Sequence, residues 1–329
     1  MSCKTFTYHQ QGMTLIELMI AMSLGLLIVG SMFAAYINTT TTSRSLMETS
    51  LVTENGRYAT QVLSDEVQLA GFFGFLDNQE KRISTSPTLP NACIISMTML
   101  TDGVAMPIQG YNNVGAASGA AANIIDACLP STDSIKTGTD ILIIRRANTS
   151  VASATLVSND YYIQSIATRY FIGKGSETFP LTKKDGTTAE VIRRYEQNIF
   201  YVDAATDQLK KLVLSNGGYR VEAIADNVDG FHVEYGIDYS RNGAPNESTF
   251  GAGDNFVVAP TTISAWQNVV AVRAFLILHS ENESASVSDA KTYQVGLDGT
   301  EGPFNDNFKR RLFYFSERAN NISMRRENS

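Results

Sequence analysis

Charge is the first thing missing from this chain. Between Leu18 and Ser43 there is no Asp, Glu, Lys or Arg. Proline is absent before Pro87, so no proline interrupts a helix over residues 13–75. Histidine and cysteine number three each in 329 residues, little material for a metal centre or a nucleophilic triad. Gly-x-Ser-x-Gly, His-Glu-x-x-His, a Walker-type glycine loop and Cys-x-x-Cys are all lacking, which leaves acyl, zinc and nucleotide chemistry without support. Basic residues are in deficit as well: 26 Lys+Arg against 33 Asp+Glu gives 26 − 33 = −7. A dedicated nucleic-acid binder relies on basic contacts to phosphate, so direct nucleic-acid binding is disfavoured. With 43% hydrophobic residues, the chain can build a sizeable core without a dense disulfide framework.

What is there begins with an apolar run from Leu18 to Ile37. As a helix rising 1.5 Å per residue, it reaches roughly 30 Å, the thickness of a bilayer's hydrocarbon core. A secretory signal peptide has a shorter apolar region followed by a small-residue cleavage site. Here the run ends in Asn-Thr-Thr-Thr-Thr-Ser, residues 38–43, which read as polar rather than as a cleavage site. One turn into the approach stands Glu17. A plain anchor has no use for it, because an ionised acid in hydrocarbon costs several kcal/mol unless it is paired.

Residues 1–12, MSCKTFTYHQQG, lead into Met13-Thr14-Leu15-Ile16-Glu17-Leu18. This arrangement resembles the class III leader of type IV prepilins. The resemblance implies that a membrane-embedded prepilin peptidase cuts between Gly12 and Met13 and methylates the new amine of Met13. Where the family usually has Phe after the cut, this chain has Met13. Glu17 is then the family's glutamate. Its carboxylate would be balanced in a filament by the positive amine of an adjacent subunit, or alternatively by the amine of its own chain four residues away.

Beyond the apolar run, Met47, Leu51, Tyr58, Val62, Leu69 and Phe73 recur at intervals of four and seven, widened by Val52, Ala59, Leu63 and Val67. That pattern predicts an amphipathic continuation of the helix over 38–75 with one face on a core. Gly25 and Gly30 are candidate soft points, or sites of close helix packing. Residues 112–125 are low in complexity and read as a loop. Strands are expected at 140–146, 161–166, 191–202, 209–214, 231–238, 269–279 and 311–315, with a hairpin across DAATDQ. In the 231–237 strand, Phe231, Val233, Tyr235 and Ile237 are expected to face a core, with His232 and Glu234 outward. A helix followed by an antiparallel sheet is an α+β order.

Asn55-Gly56-Arg57-Tyr58-Ala59, Leu69-Ala70-Gly71-Phe72-Phe73-Gly74, Asn227-Val228-Asp229-Gly230-Phe231, the stretch from Trp266 to Arg273, and Arg310-Arg311-Leu312-Phe313 resemble the PilW-type minor pilins and their relatives, the J-type minor pseudopilins. The resemblance implies a type IV pilin-like fold: leader 1–12, transmembrane or filament-core helix 13–37, amphipathic helix 38–75, and a β-rich head over 76–329. It also implies partners: prepilin peptidase, other minor pilins and the major pilin, the inner-membrane assembly platform, and membrane lipid before assembly. The expected location is the inner membrane of a Gram-negative bacterium with a periplasmic head, then the pilus. The expected function is a minor pilin that helps initiate assembly at the filament tip. A type II secretion pseudopilin and a tip adhesin or DNA-binding module are the alternatives.

Loss of the leader removes Cys3 and leaves Cys93 and Cys128, a bridge outside the cytoplasm or else two buried thiols. It also removes Lys4, giving 25 − 33 = −8 for the mature chain. His232 and His279 read as strand histidines and Trp266 as core. Asp226, Asp229 and Asp238 lack an EF-hand spacing and read as turn or cap residues. Dibasic pairs such as Arg145-Arg146 point to opposite faces of a strand and make no single patch. No catalytic residue, metal or cofactor is expected.

Overall fold

The computed structural model describes residues 12–76, 89–113, 128–245, 256–284 and 287–327. Leader residues 1–11 and residues 114–125 of the expected loop lie outside that set. The chain divides into two units, residues 1–50 and 51–329. In the first, every described residue from Gly12 to Arg44 is exposed, and all of the regular structure belongs to one helix, α1 (Leu15–Leu69), which ends in the second unit.

The helix stops at Leu69, six residues before the expected end. Gly71 takes φ +71° and Gly74 φ +69°, left-handed conformations that glycine adopts without steric cost. The backbone then joins the sheet instead: Gly71 N–H donates to the Arg145 carbonyl at 3.0 Å and Ala147 N–H to the Phe72 carbonyl at 2.6 Å.

The core-facing stripe of α1 also differs from the main expected line. Val52, Ala59, Leu63 and Val67 are buried, whereas Met47, Leu51 and Tyr58 are exposed. The widening positions are therefore the true inner face. Gly56 lies between Val52 and Ala59 in that stripe, and a Cβ there would intrude on the ring of Phe313. The helix backbone approaches that aromatic ring because it has no side chain at this point.

After α2 (Met97–Ala105) come β1 (Ile108–Tyr111), β2 (Ile141–Ala147), β3 (Tyr161–Ile166), β4 (Arg169–Lys174), β5 (Ile192–Asp203), β6 (Gln208–Ser215) and β7 (Gly218–Ala225). They form one antiparallel sheet in which the long β5 pairs with β2, β3 and β6 in different parts of its length. The β5–β6 hairpin turns across DAATDQ as expected, with Asp207 at φ +51°. A second sheet has the order β13 (Arg310–Arg318), β10 (Val269–His279), β8 (Val228–Ile237), β9 (Phe256–Val257). Between β9 and β10 lies α3 (Ile263–Gln267), and α4 (Asn320–Glu327) follows β13. A small pair, β11 (Tyr293–Gln294) and β12 (Thr300–Glu301), completes the strands. Strands β1, β4, β7, β9, β11 and β12 were not among those expected, being short or lacking a strong apolar run.

The main core brings the inner stripe of α1 against Leu142 and Ile144 of β2, Phe200 of β5, Val233 and Tyr235 of β8, and Val272 and Leu276 of β10. Trp266 is buried, its ring 4.8 Å from that of Tyr235. His232 and Glu234, expected outward, are instead 6% and 2% exposed. Alternation does place them on the opposite face of β8 from Val233 and Tyr235. That face is covered, because the 293–301 segment folds across it and Leu297 N–H donates to Glu234 Oε1 at 2.6 Å.

Candidate functional site

The apolar half of α1 starts at a local sequence device. Thr14 precedes the helix, and its Oγ1 accepts the Glu17 N–H at 3.3 Å, while its carbonyl accepts the Leu18 N–H at 3.1 Å. A hydroxyl residue three places before a glutamate is the capping-box pattern, a signal in Thr14-x-x-Glu17 that the sequence reading passed over. Glu17 also lies in the first helical turn, where the partial positive charge of the helix N-terminus favours a carboxylate. Gly12 and Met13 lead into this start and are exposed. Met13, four residues from Glu17, thus stands at the same end of the helix.

Polar side chains of the apolar half satisfy themselves. The hydroxyls of Ser23, Thr39, Thr40 and Thr41 donate to the carbonyls of Met19, Ala35, Tyr36 and Ile37 at 2.8–3.0 Å. Such back-bonding lowers the cost of taking a hydroxyl out of water. From 13 to 43 only Glu17 remains as a charged side chain, on a helix whose leucines, isoleucines and methionines stand in the open. Among the described residues α1 is the one helix long and apolar enough to cross a membrane.

In the second unit α1 is tied to the sheet by charge as well as packing. Arg146 donates from Nε to Glu66 at 3.0 Å and pairs with Glu196 at 2.5 Å. Its neighbour Arg145 points the other way and is wholly buried, donating to Gln197, the Met106 carbonyl and Gln109 at 2.5–2.8 Å. Burial lowers the pKa of that guanidinium, and neutral oxygens rather than a carboxylate hold it. Cys93 and Cys128 form a disulfide, with Cα atoms 5.2 Å apart.

The buried histidine does not offer general-base chemistry. His232 Nε2 meets Glu301 at 2.7 Å and Nδ1 meets Asp298 at 3.3 Å. Burial disfavours the charged ring, but these carboxylates outweigh it and raise the pKa to about 10. A ring already protonated at neutral pH cannot accept a proton there. Donor atoms of Asp140, His232 and Asp298 come within 4.8 Å of one another. They are engaged: Asp140 accepts the N–H groups of Asn113 and Val233, and Asp298 the amide of Asn112. Burial pushes Asp140 up to about 7 despite those bonds. The three aspartates read as cap residues stay apart: Asp226 accepts from Gln208, Asp229 from Arg310, and Asp238 from the backbone of Asn242 and Gly243.

Comparison with known proteins follows the same two ends of the chain. The family model for Type IV Pilus-assembly protein W matches residues 198–321, from the middle of β5 into α4. The prokaryotic N-terminal methylation motif matches residues 8–33, spanning Gly12, Met13 and Glu17. No curated protein matches the chain. Among solved structures, the Type IV-like pilin TTHA1219 from Thermus thermophilus is similar over 85% of this chain and 98% of its own, at 11% identity and a TM-score of 0.34. The chain thus carries a prepilin-type methylation motif at one end and a PilW-family domain at the other, joined by a long apolar helix that leads into an antiparallel head, a combination that supports a type IV minor pilin of the PilW type.

Proposed function

We propose that this minor pilin helps to initiate pilus assembly at the filament tip. The observation that supports this most is the exposed, uncharged run of α1 with a single acid at its start. In one chain in water, that surface is the costliest of the molecule, at about 25 cal/mol for each Å² of apolar area left wet. A bilayer covers it first, and the helices of neighbouring subunits cover it afterwards. On this reading residues 1–12 are the leader, cut at Gly12–Met13 by prepilin peptidase, and Met13 is methylated. Residues 13–37 form the membrane and filament-core segment, and the head faces the periplasm of a Gram-negative cell until assembly.

Glu17 then has its role in the packed bundle. A lone carboxylate among apolar helices costs several kcal/mol, and the protonated amine of a neighbouring Met13 removes that cost. Methylation leaves the amine able to carry its charge, so pairing survives processing. Partners on this reading are the other minor pilins, the major pilin and the inner-membrane assembly platform.

Deleting the gene tests the role. Loss of surface fibres with normal exoprotein secretion supports pilus initiation. Intact fibres with failed secretion would move the protein to a secretion pseudopilus.

A further inference from the structure

Several cations of the head have carboxylate partners. Arg146 pairs with Glu66 and Glu196, Lys210 with Asp133 and Asp203, and Arg310 with Asp229, Asp289 and Asp306. Lys136 pairs with Asp207 and Asp229, and Arg194, Lys211 and Arg326 have one carboxylate partner each. Arg169, Lys183 and Lys184 are set apart by being grouped. None of them enters an ion pair among the described residues, all three are exposed, and all three line one cavity of about 780 Å³.

The cavity is bounded by the tip of the β3–β4 hairpin and by the excursion 182–191, whose arms meet at a Thr182–Ala189 bridge. Its apolar lining includes Phe75, Ile166 and Val191. Phe75 is 63% exposed, a large aromatic surface left open just beyond the end of α1. Two carboxylates stand nearby: Glu190 in the lining itself, and Asp185, which feels the charge of Lys183. Glu190 accepts the Val191 N–H at 2.9 Å, and Asp185 accepts those of Thr187 and Thr188 at 3.0 and 2.8 Å, fixing the turn that follows the two lysines.

We propose that this cavity docks an acidic peptide segment of a partner protein, with one aromatic or branched aliphatic side chain placed among Phe75, Ile166 and Val191. The three cations outnumber Glu190 and Asp185, so the cavity stays net positive beside its apolar wall and favours an anionic guest. The volume lies within the range of ordinary ligand sites, roughly 300–1,000 Å³, and admits a side chain with its flanking backbone. The apolar lining selects against a small hydrated anion. The chain's own net charge of −7 disfavours a second copy at long range and favours a distinct subunit presenting carboxylates. This inference does not depend on whether the protein acts at the tip.

The test uses the full chain in a neutral detergent and fluorescein-labelled pentapeptides read by anisotropy. Glu-Glu-Phe-Asp-Glu should bind saturably, and its affinity should fall at least tenfold in the Lys183→Glu/Lys184→Glu variant and with Phe75→Ser. Glu-Glu-Ser-Asp-Glu and Lys-Lys-Phe-Lys-Lys should bind at least tenfold more weakly to the unaltered protein. Circular dichroism checks that the variants keep the native fold. Absence of saturable binding, or an affinity that the double variant leaves unchanged, overturns the proposal. So does lysine-dependent binding to phosphatidylglycerol vesicles with none to the acidic peptide, which would assign the cavity to a lipid surface. Carbodiimide crosslinks from Lys183 to Asp77 or Glu80 of the same chain, or to a second copy, would likewise give it to another occupant and overturn the proposal.

Discussion

Single positions decide how the helix and head fit. Gly56 has no side chain because the Phe313 ring takes that space. Gly56→Ala should destabilise the head by about 1–3 kcal/mol, the usual cost of forcing atoms into a packed contact, seen as a lower urea midpoint with an unchanged slope. At the other end of the helix, Glu17→Gln removes the charge and keeps the shape. Its incorporation into filaments should drop by about an order of magnitude or more, since breaking a buried pair costs several kcal/mol; quantitative blotting of sheared fibres measures it. His232 adds a pH dependence. An unperturbed histidine titrates at 6.5, but Asp298 and Glu301 hold this one protonated up to about 10 against its burial. The folded state therefore binds the proton more tightly than the unfolded chain. The stabilisation is complete below 6.5 and is lost as pH rises to about 10. Asp140, raised by burial to about 7, acts with the same sign in a separate window from 3.8 to 7. The melting temperature should thus decline between pH 6.5 and 10, and His232→Gln should flatten that decline.

Elements differ in how much of them could be read from residue order. The long runs declared themselves: α1, β2, β3, β5, β6, β8 and β10 all coincide with expected stretches. What escaped was of two kinds. Short strands such as β1, β9 and β12 owe their existence to the neighbour they pair with, and nothing local announces that neighbour. The face of β8 that carries His232 and Glu234 reads as polar and therefore outward, yet the 293–301 segment covers it and supplies partners from sixty or more residues away. The helix stripe was misplaced for a related reason, because Met47, Leu51 and Tyr58 are apolar without being core. The Cys93–Cys128 bridge joins two such weakly announced regions over a separation of 35 residues. On the chain-entropy account, closing a loop of that size contributes up to about 4 kcal/mol. Reduction, or Cys93→Ser with Cys128→Ser, should lower the melting temperature accordingly, read by calorimetry with and without dithiothreitol.

For the molecule as a whole, the N-terminal methylation motif was the most legible feature, because a glycine, a hydrophobic start and a glutamate at fixed spacing leave few readings. Mass spectrometry of the protein from its own cells should find residues 1–12 gone and one methyl group on Met13. An intact leader under native expression would count against that reading. The cavity with its three cations was not foreseeable, since Phe75, Arg169 and Lys183-Lys184 are brought together only by the fold. Neither was the Arg146 lock, whose partners come from the helix and from β5. That lock has a mechanical meaning. Within the head, Arg146 on Glu66, Arg311 on Thr53, Phe313 over Gly56 and the buried valine–leucine stripe lie side by side along the helix. A tug along the helix axis therefore loads them in parallel, so the grip fails by sliding all at once rather than by peeling open one contact at a time.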